Sequence, residues 1–363
     1  MRHITRRSAV ALLAGVLVLA AIPATPQAPR STPRTPDPPL KIDIRAQPIA
    51  GFDARDPSRR QFGELLFRGG LELTSPYKEF GGISAIRVAA DGARFVAVSD
   101  KGRWFRGRIV YRDGRPVGID DAETAPILGP DGRPITARGW YDSEAIAEDG
   151  KTLYVGLERV HQILRFDYGK DGLLARGVPI AVPPGMKRMP SNKGIECLVF
   201  VPKGLPGGGT LIAISERALD AAKNIRAFLI GGSSPGEFSV ARSDEFDVSD
   251  CAITPRGELL LLERRFFWTS GIAMRMRRIA LAGVKPGAVI DGPIVVEADM
   301  GYQIDNMEGL SVHRTPDNEL VLTLISDDNF SVLQRTILLQ FTLMDARDPR
   351  ARLEKRVGSP AAR

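Results

Sequence analysis

The chain has 363 residues, 43% of them apolar, with 50 Lys and Arg against 43 Asp and Glu and a formal net charge of +7. This is ordinary globular composition, long enough for a large core. The basic residues are scattered and no aromatic-basic stacking platform accompanies them, which argues against a nucleic-acid binder. With His3 in the leader described next, only His161 and His313 are left, which excludes a His-rich metal site and histidine-nucleophile phosphatase chemistry.

Residues 1–28 read as an export signal. Arg6 and Arg7 precede an apolar stretch over residues 9–22, followed by small residues and prolines. The stretch is too short and too rich in small residues to favour a membrane span. Thr5-Arg6-Arg7-Ser8-Ala9-Val10 is a loose twin-arginine pattern, and a general secretory signal fits equally well. Either route places the protein in the periplasm or outside the cell. Loss of Arg2, Arg6 and Arg7 lowers the charge from +7 to +4, a mild excess suited to a small anionic molecule or an anionic surface. Residues 29–40 form a Pro-rich linker, the folded domain is expected over 41–345, and the charged stretch 346–363 is expected to be a frayed tail.

Residues 41–52 and 62–75 are strand-like. Beyond them a short pattern occurs five times. Each copy opens on Ser84-Ala85-Ile86, Glu144-Ala145-Ile146, Glu196-Cys197-Leu198, Asp250-Cys251-Ala252 or Glu308-Gly309-Leu310. A turn follows, such as Asp91-Gly92, Asp149-Gly150 or Arg256-Gly257, and then an apolar run ending on Asp100, Glu158, Glu216, Glu263 or Asp327. Third strands are expected at residues 108–111, 162–166, 225–229 and 274–279, and fourth strands at 178–182, 237–240 and 294–297. The 274–279 stretch alternates apolar with charged residues, the pattern of a strand with one wet face. Units of four short strands repeating at this interval predict an all-β fold, a β-propeller with five or six blades. Residues 65–67 or 71–73 are expected to close the ring by pairing near residues 337–341, which removes a free edge.

The first strand of each propeller blade lines the central channel, so equivalent positions form a ring. Glu144, Glu196, Asp250 and Glu308 are therefore expected to converge near one mouth. Carboxylates that close retain protons or attract a cation, and Ca²⁺ suits such a set of hard oxygen ligands. Lys101, Arg159, Arg217 and Arg264 follow the second acids on the same face and could hold an anion. The alternative is structural: the second acids and their basic neighbours lace blades together. Cys197 and Cys251, read as equivalent positions on neighbouring blades, are expected to be two small buried residues too far apart to bridge. Gly232-Ser233-Ser234-Pro235-Gly236 has the letters of a nucleophile elbow but the setting of a turn between strands.

Phe80-Gly81-Gly82-Ile83-Ser84, Ser99-Asp100-Lys101-Gly102, Tyr141-Asp142-Ser143-Glu144-Ala145-Ile146, Gly194-Ile195-Glu196 and Asn306-Met307-Glu308-Gly309-Leu310 resemble the phytase-like family, described as having esterase-like activity. The resemblance covers residues 60–345. It implies an exported β-propeller hydrolysing phosphate or carboxylate esters, and, by analogy with β-propeller phytases, calcium on one face binding substrate phosphate and activating water. The dense Lys/Arg/Asp clusters of those enzymes are not evident here. The expected protein is thus a monomeric, metal-dependent hydrolase of anionic esters, with no nucleic-acid partner and no membrane span once the signal is removed. A non-catalytic binding propeller with exposed aromatics such as Trp104 or Trp140, or a calcium-dependent lactonase-like enzyme, stands as the alternative.

Overall fold

The computed structural model describes residues 37–344. The expected export signal, the linker up to residue 36 and the tail over 346–363 lie outside the described residues. Leu40, the last residue assigned to the linker, already pairs with Thr124 on the outer edge of a sheet.

Five sheets follow one another in chain order, each counted from the channel outward. Blade one is Ile83–Val88, Arg94–Ser99, Arg103–Arg112 and Arg115–Pro126; blade two is Ser143–Asp149, Thr152–Leu157, Gln162–Phe166 and Val178–Pro179. Blade three is Ile195–Phe200, Thr210–Leu219, Ile225–Gly231 and Gly236–Val240, and blade four is Asp247–Ile253, Glu258–Phe267, Gly271–Ala280 and Ile294–Ala298. Blade five takes Asn306–Arg314, Leu320–Asp327 and Thr336–Leu343 from the C-terminal part and Leu65–Thr74 from the N-terminal part. The five inner strands touch in cyclic order, blade five against blade one, so the ring is closed. The fold is a five-bladed β-propeller, with no sixth blade among the described residues.

Closure follows the expected pairing. Leu71 lies opposite Leu338 and Phe67 opposite Phe341, so one sheet is shared by the two ends of the domain and neither leaves an open edge at that seam. Arg45–Ile49 then covers the outer side of Leu65–Thr74. The core lies between blades. One cluster joins Cys197, Val199 and Ile212 of blade three to Val248, Cys251 and Leu261 of blade four; another joins Leu260, Met274 and Met276 of blade four to Leu310, Leu322 and Phe341 of blade five. The inner strands are therefore dry over most of their length, and the second strands carry apolar runs such as residues 211–214 and 259–262.

Two expectations are overturned. The strand Gly271–Ala280 has no wet face at its centre: Arg275 and Arg277 are 1% and 2% exposed. Both guanidiniums clamp the buried Glu263 carboxylate, at 2.9 and 2.6 Å, so charge pairing replaces solvent. Cys197 and Cys251 are joined in a disulfide, with Cα atoms 5.2 Å apart. The reason is a register offset. Cys197 comes one residue after the irregularity in its inner strand, whereas Cys251 comes two after the matching one. Successive side chains point to opposite faces of a strand. Cys197 thus faces forward to blade four, and Cys251 faces back to blade three.

Candidate active site

Every inner strand carries a β-bulge at its upper end. Opposite the second strand, the extra residue falls at Ser84, Glu144, Glu196, Ser249 and Glu308. A bulge leaves one residue unpaired and re-aims its side chain, here towards the channel mouth. The bulges also define the equivalent positions, and they correct one assignment. In blade four the counterpart of the glutamates is Ser249; Asp250 is the next residue and points the other way. The second strands show the same offset. Asp100, Glu158, Glu216 and Asp327 pair with the backbone at Gly82, Asp142, Gly194 and Asn306, and the matching position in blade four, opposite Asp247, is held by Arg264.

Glu144, Glu196 and Glu308 are brought together, and Asp250 is not among them. Asp250 is fully buried and engages the Arg87 guanidinium at 3.0 and 3.1 Å, while the backbone N–H groups of Leu310 and Cys251 donate to it at 2.7 Å. Arg87 also donates to the carbonyls of Ile86, Leu310 and Leu198, from blades one, five and three. One internal cation thus plugs the channel just below the carboxylates.

Above that plug the electrostatics are strained. Burial pushes the Glu144 carboxyl well above the usual range, reinforced by Glu308 and opposed by a hydrogen bond with Ser84. Burial does the same at Glu196, reinforced by Glu144 and Glu308. Glu308 is raised by burial, against the pull of Arg264 and of the Asn306 amide, which donates to it at 2.8 Å. Asp327 is pushed up to about 9 by burial and by Glu308, and Asp100 to about 6 by burial. Two buried oxygens here, Glu196 Oε2 and Asp100 Oδ1, have no hydrogen-bond partner. Gly82 makes room for Asp100: its backbone sits at φ +59°, and a Cβ there would run into that carboxylate.

The four basic candidates are placed on this face but are already engaged. Arg264 lies among the acids, 3.3 Å from Glu308 and 3.4 Å from Glu216, and donates to Asn306 at 2.9 Å. Burial works against its charge, yet Glu308, Glu196, Glu216 and Glu144 hold its pKa above the usual arginine range. Arg159 donates to Asp142, Arg217 to Asp247 at 3.0 Å, and the Lys101 ammonium sits over the Phe330 ring. Arg159 and Arg217 are half exposed, so their outer edges face solvent at the rim. Of the aromatics, Trp104 is fully buried and Trp140 lies under Arg138 at the rim; the exposed tryptophan is Trp268, at the tip of a blade-four hairpin.

Sequence reasoning missed Arg87, which stands in an inner strand with nothing beside it to mark a role. It also misplaced blade four. Spacing to the turn gave no consistent signal: Ser249 stands eight residues before Gly257, as Ser84 does before Gly92, but Glu144 stands six before Gly150.

A five-bladed propeller with a ring of buried carboxylates at one mouth of a plugged channel is the class of protein this structure defines. The chain belongs to the phytase-like family, described as esterase-like activity of phytase, which matches residues 78–330. No curated protein matches it. Among solved structures it is similar to an α-L-arabinofuranosidase from Podospora anserina, at 10% identity over 74% of this chain and 94% of that one, with a TM-score of 0.46. It is also similar to a glutaminyl cyclase from Myxococcus xanthus, at 11% identity over 72% and 97%, with a TM-score of 0.36. Among the described residues no helix is long and apolar enough to cross a membrane.

Proposed function

We propose that this protein is an exported, cation-dependent hydrolase of anionic phosphate or carboxylate esters, working at the mouth lined by Glu144, Glu196 and Glu308. One observation carries the reading: three buried glutamates share a site with a single arginine and keep an unpartnered oxygen on Glu196. Uncompensated buried carboxylates hold protons or take a cation. The residues fit a hard cation in donor chemistry, since all are carboxylates. Among the described residues no group of three or more His, Cys, Asp or Glu side chains is arranged to hold a metal ion, so cation binding here requires the carboxylates to move together. Glu144, Glu196 and Glu308, with Asp100 and Asp327 beside them, would hold Ca²⁺, which when bound supplies a Lewis acid and lowers the pKa of water.

The chain's own residues do the rest. Arg264 favours the ionised forms of both Glu308 and Glu196, against the burial that raises them. Arg159, Arg217 and Lys101 stand at the rim, where the ester's anionic end would lie. The Arg87–Asp250 pair closes the channel floor, so substrate enters and product leaves by the same mouth.

The test is turnover of a panel of phosphate and carboxylate esters by the purified protein, with and without chelator and with Glu196→Gln. Loss of turnover in both arms supports the reading; turnover that survives both removes it. A second reading, a non-catalytic binding propeller, is favoured by Trp268, 95% exposed beside Phe266 on the same face. It predicts a ligand-induced melting shift with no turnover.

A further inference from the structure

Among the described residues, six large apolar side chains are exposed on connections between strands: Tyr141, Val160, Trp268, Met300, Val332 and Leu333. Each connection either precedes an inner strand or follows a second strand, so all six lie at the mouth end of the propeller. Apolar residues scattered singly over a surface would fall at both ends. Three of these connections are joined. The Phe266 and Trp268 rings meet edge-on at 5.3 Å. Met300 lies against the start of the next strand, where a Cβ on Gly271 would come within 2.8 Å of its Cγ. Asp305, at the end of the Met300 connection, accepts from Gln334 Nε2 at 3.2 Å and from the Arg335 N–H at 3.0 Å, which ties it to the connection carrying Val332 and Leu333.

Trp268, Val332 and Leu333 are 95%, 100% and 89% exposed, so they stand as separate tips with bare flanks. A folded partner would have to match such tips with pockets at interior packing density, whereas a fluid lipid layer closes round them, and tryptophan favours the boundary between water and lipid. The same face offers charge for headgroups. The connection between Val178–Pro179 and Ile195–Phe200 carries Lys187, Arg188 and Lys193 and no acidic residue. Its Met189 carbonyl lies 3.0 Å from His161 Nε2, which fixes it at the mouth end. Lys187 and Arg188 are exposed, and among the described residues neither makes an ion pair, whereas Arg159 and Arg217 pair with Asp142 and Asp247.

We propose that the mouth face docks on an anionic lipid surface, with Trp268, Met300, Val332 and Leu333 entering the headgroup layer and Lys187 and Arg188 on the lipid phosphates. This stands whether or not the mouth turns over an ester. The experiment is vesicle flotation in chelator, with phosphatidylglycerol and phosphatidylcholine mixed roughly one to two and with pure phosphatidylcholine. The full chain and the chain without residues 1–28 are run side by side, because the stretch over 9–22 is itself apolar. The shorter chain is expected to float with the anionic vesicles, with a blue shift of tryptophan emission that Trp268→Ser removes. Trp268→Ser, Val332→Ser and Leu333→Ser together should weaken binding about tenfold or more, through lost apolar insertion. Lys187→Gln with Arg188→Gln should weaken it on the order of tenfold, through lost attraction to the headgroups. All five positions are exposed, so melting temperatures should hold. No flotation of the shorter chain overturns the proposal, as does equal binding to both kinds of vesicle or binding that the triple variant leaves unchanged. Self-association that the triple variant abolishes, without vesicle binding, gives the face to a second copy and also overturns it.

Discussion

Arg87 and Asp250, 163 residues apart in the chain, meet at 3.0 Å across the central channel, and both are buried. The guanidinium takes the place a bound cation could occupy, among backbone carbonyls from several blades. Breaking a buried pair leaves a charge without compensation, at a cost of about 3–5 kcal/mol. Asp250→Ala should therefore lower the unfolding free energy measured in urea by that much. A loss below about 1 kcal/mol, the scale of an exposed pair, would show that the pair does not hold the channel closed.

The Cys197–Cys251 disulfide closes a loop of 54 residues between neighbouring blades. Loop-closure entropy for that length corresponds to about 4 kcal/mol, and measured values run lower. The double variant Cys197→Ala, Cys251→Ala should fold and lose about 2–4 kcal/mol in chemical unfolding. Equal stability of the variant and the oxidised chain would contradict this.

The carboxylates at the mouth set a pH dependence with a definite sign. Asp327 is raised from 3.8 to about 9 and Asp100 from 3.8 to about 6, so the folded state binds protons more tightly than the unfolded one. Their contribution to stability is present at low pH and is lost as pH rises from the unfolded value through the folded one. His313, lowered from 6.5 to about 4, acts in the opposite sense below 6.5, so the clean window lies between there and about pH 9. Melting temperature in chelator should fall across that window. Added Ca²⁺ should restore it at the alkaline end. A flat profile would show that the acids are compensated by other means.

Glu196→Gln removes one of the buried charges without changing shape. In chelator at alkaline pH it should raise the melting temperature, since repulsion from Glu144 and Glu308 is relieved. It should also reduce the stabilisation given by Ca²⁺. Stabilities and Ca²⁺ responses equal to those of the unmodified chain would place the cation elsewhere.

Trp268 is 95% exposed at a hairpin tip. Trp268→Ser should change stability by less than about 0.5 kcal/mol, as surface substitutions do. If the variant loses a ligand-induced melting shift while its unfolding midpoint is unchanged, the aromatic tip belongs to a binding surface.

The repeat, the strands and the closure of the ring were legible in the sequence, because apolar runs and turn residues act over a few neighbours and recur in every copy. Residues 65–67 and 71–73 found their partners because a closed sheet leaves them nowhere else to pair. The convergence of Glu144, Glu196 and Glu308 also followed from repetition alone. What only the tertiary structure decided was the effect of a one-residue offset. A bulge inserts a single residue into a strand and turns every later side chain to the opposite face, while the spacing of the letters barely changes. That offset put Ser249 at the mouth and Asp250 on Arg87, set Arg264 among the acids, and turned Cys197 and Cys251 towards each other. Charge alternation in the Arg275 strand was misleading for a related reason: whether a charged residue meets water or a buried partner such as Glu263 depends on the neighbouring strand, which no local pattern records.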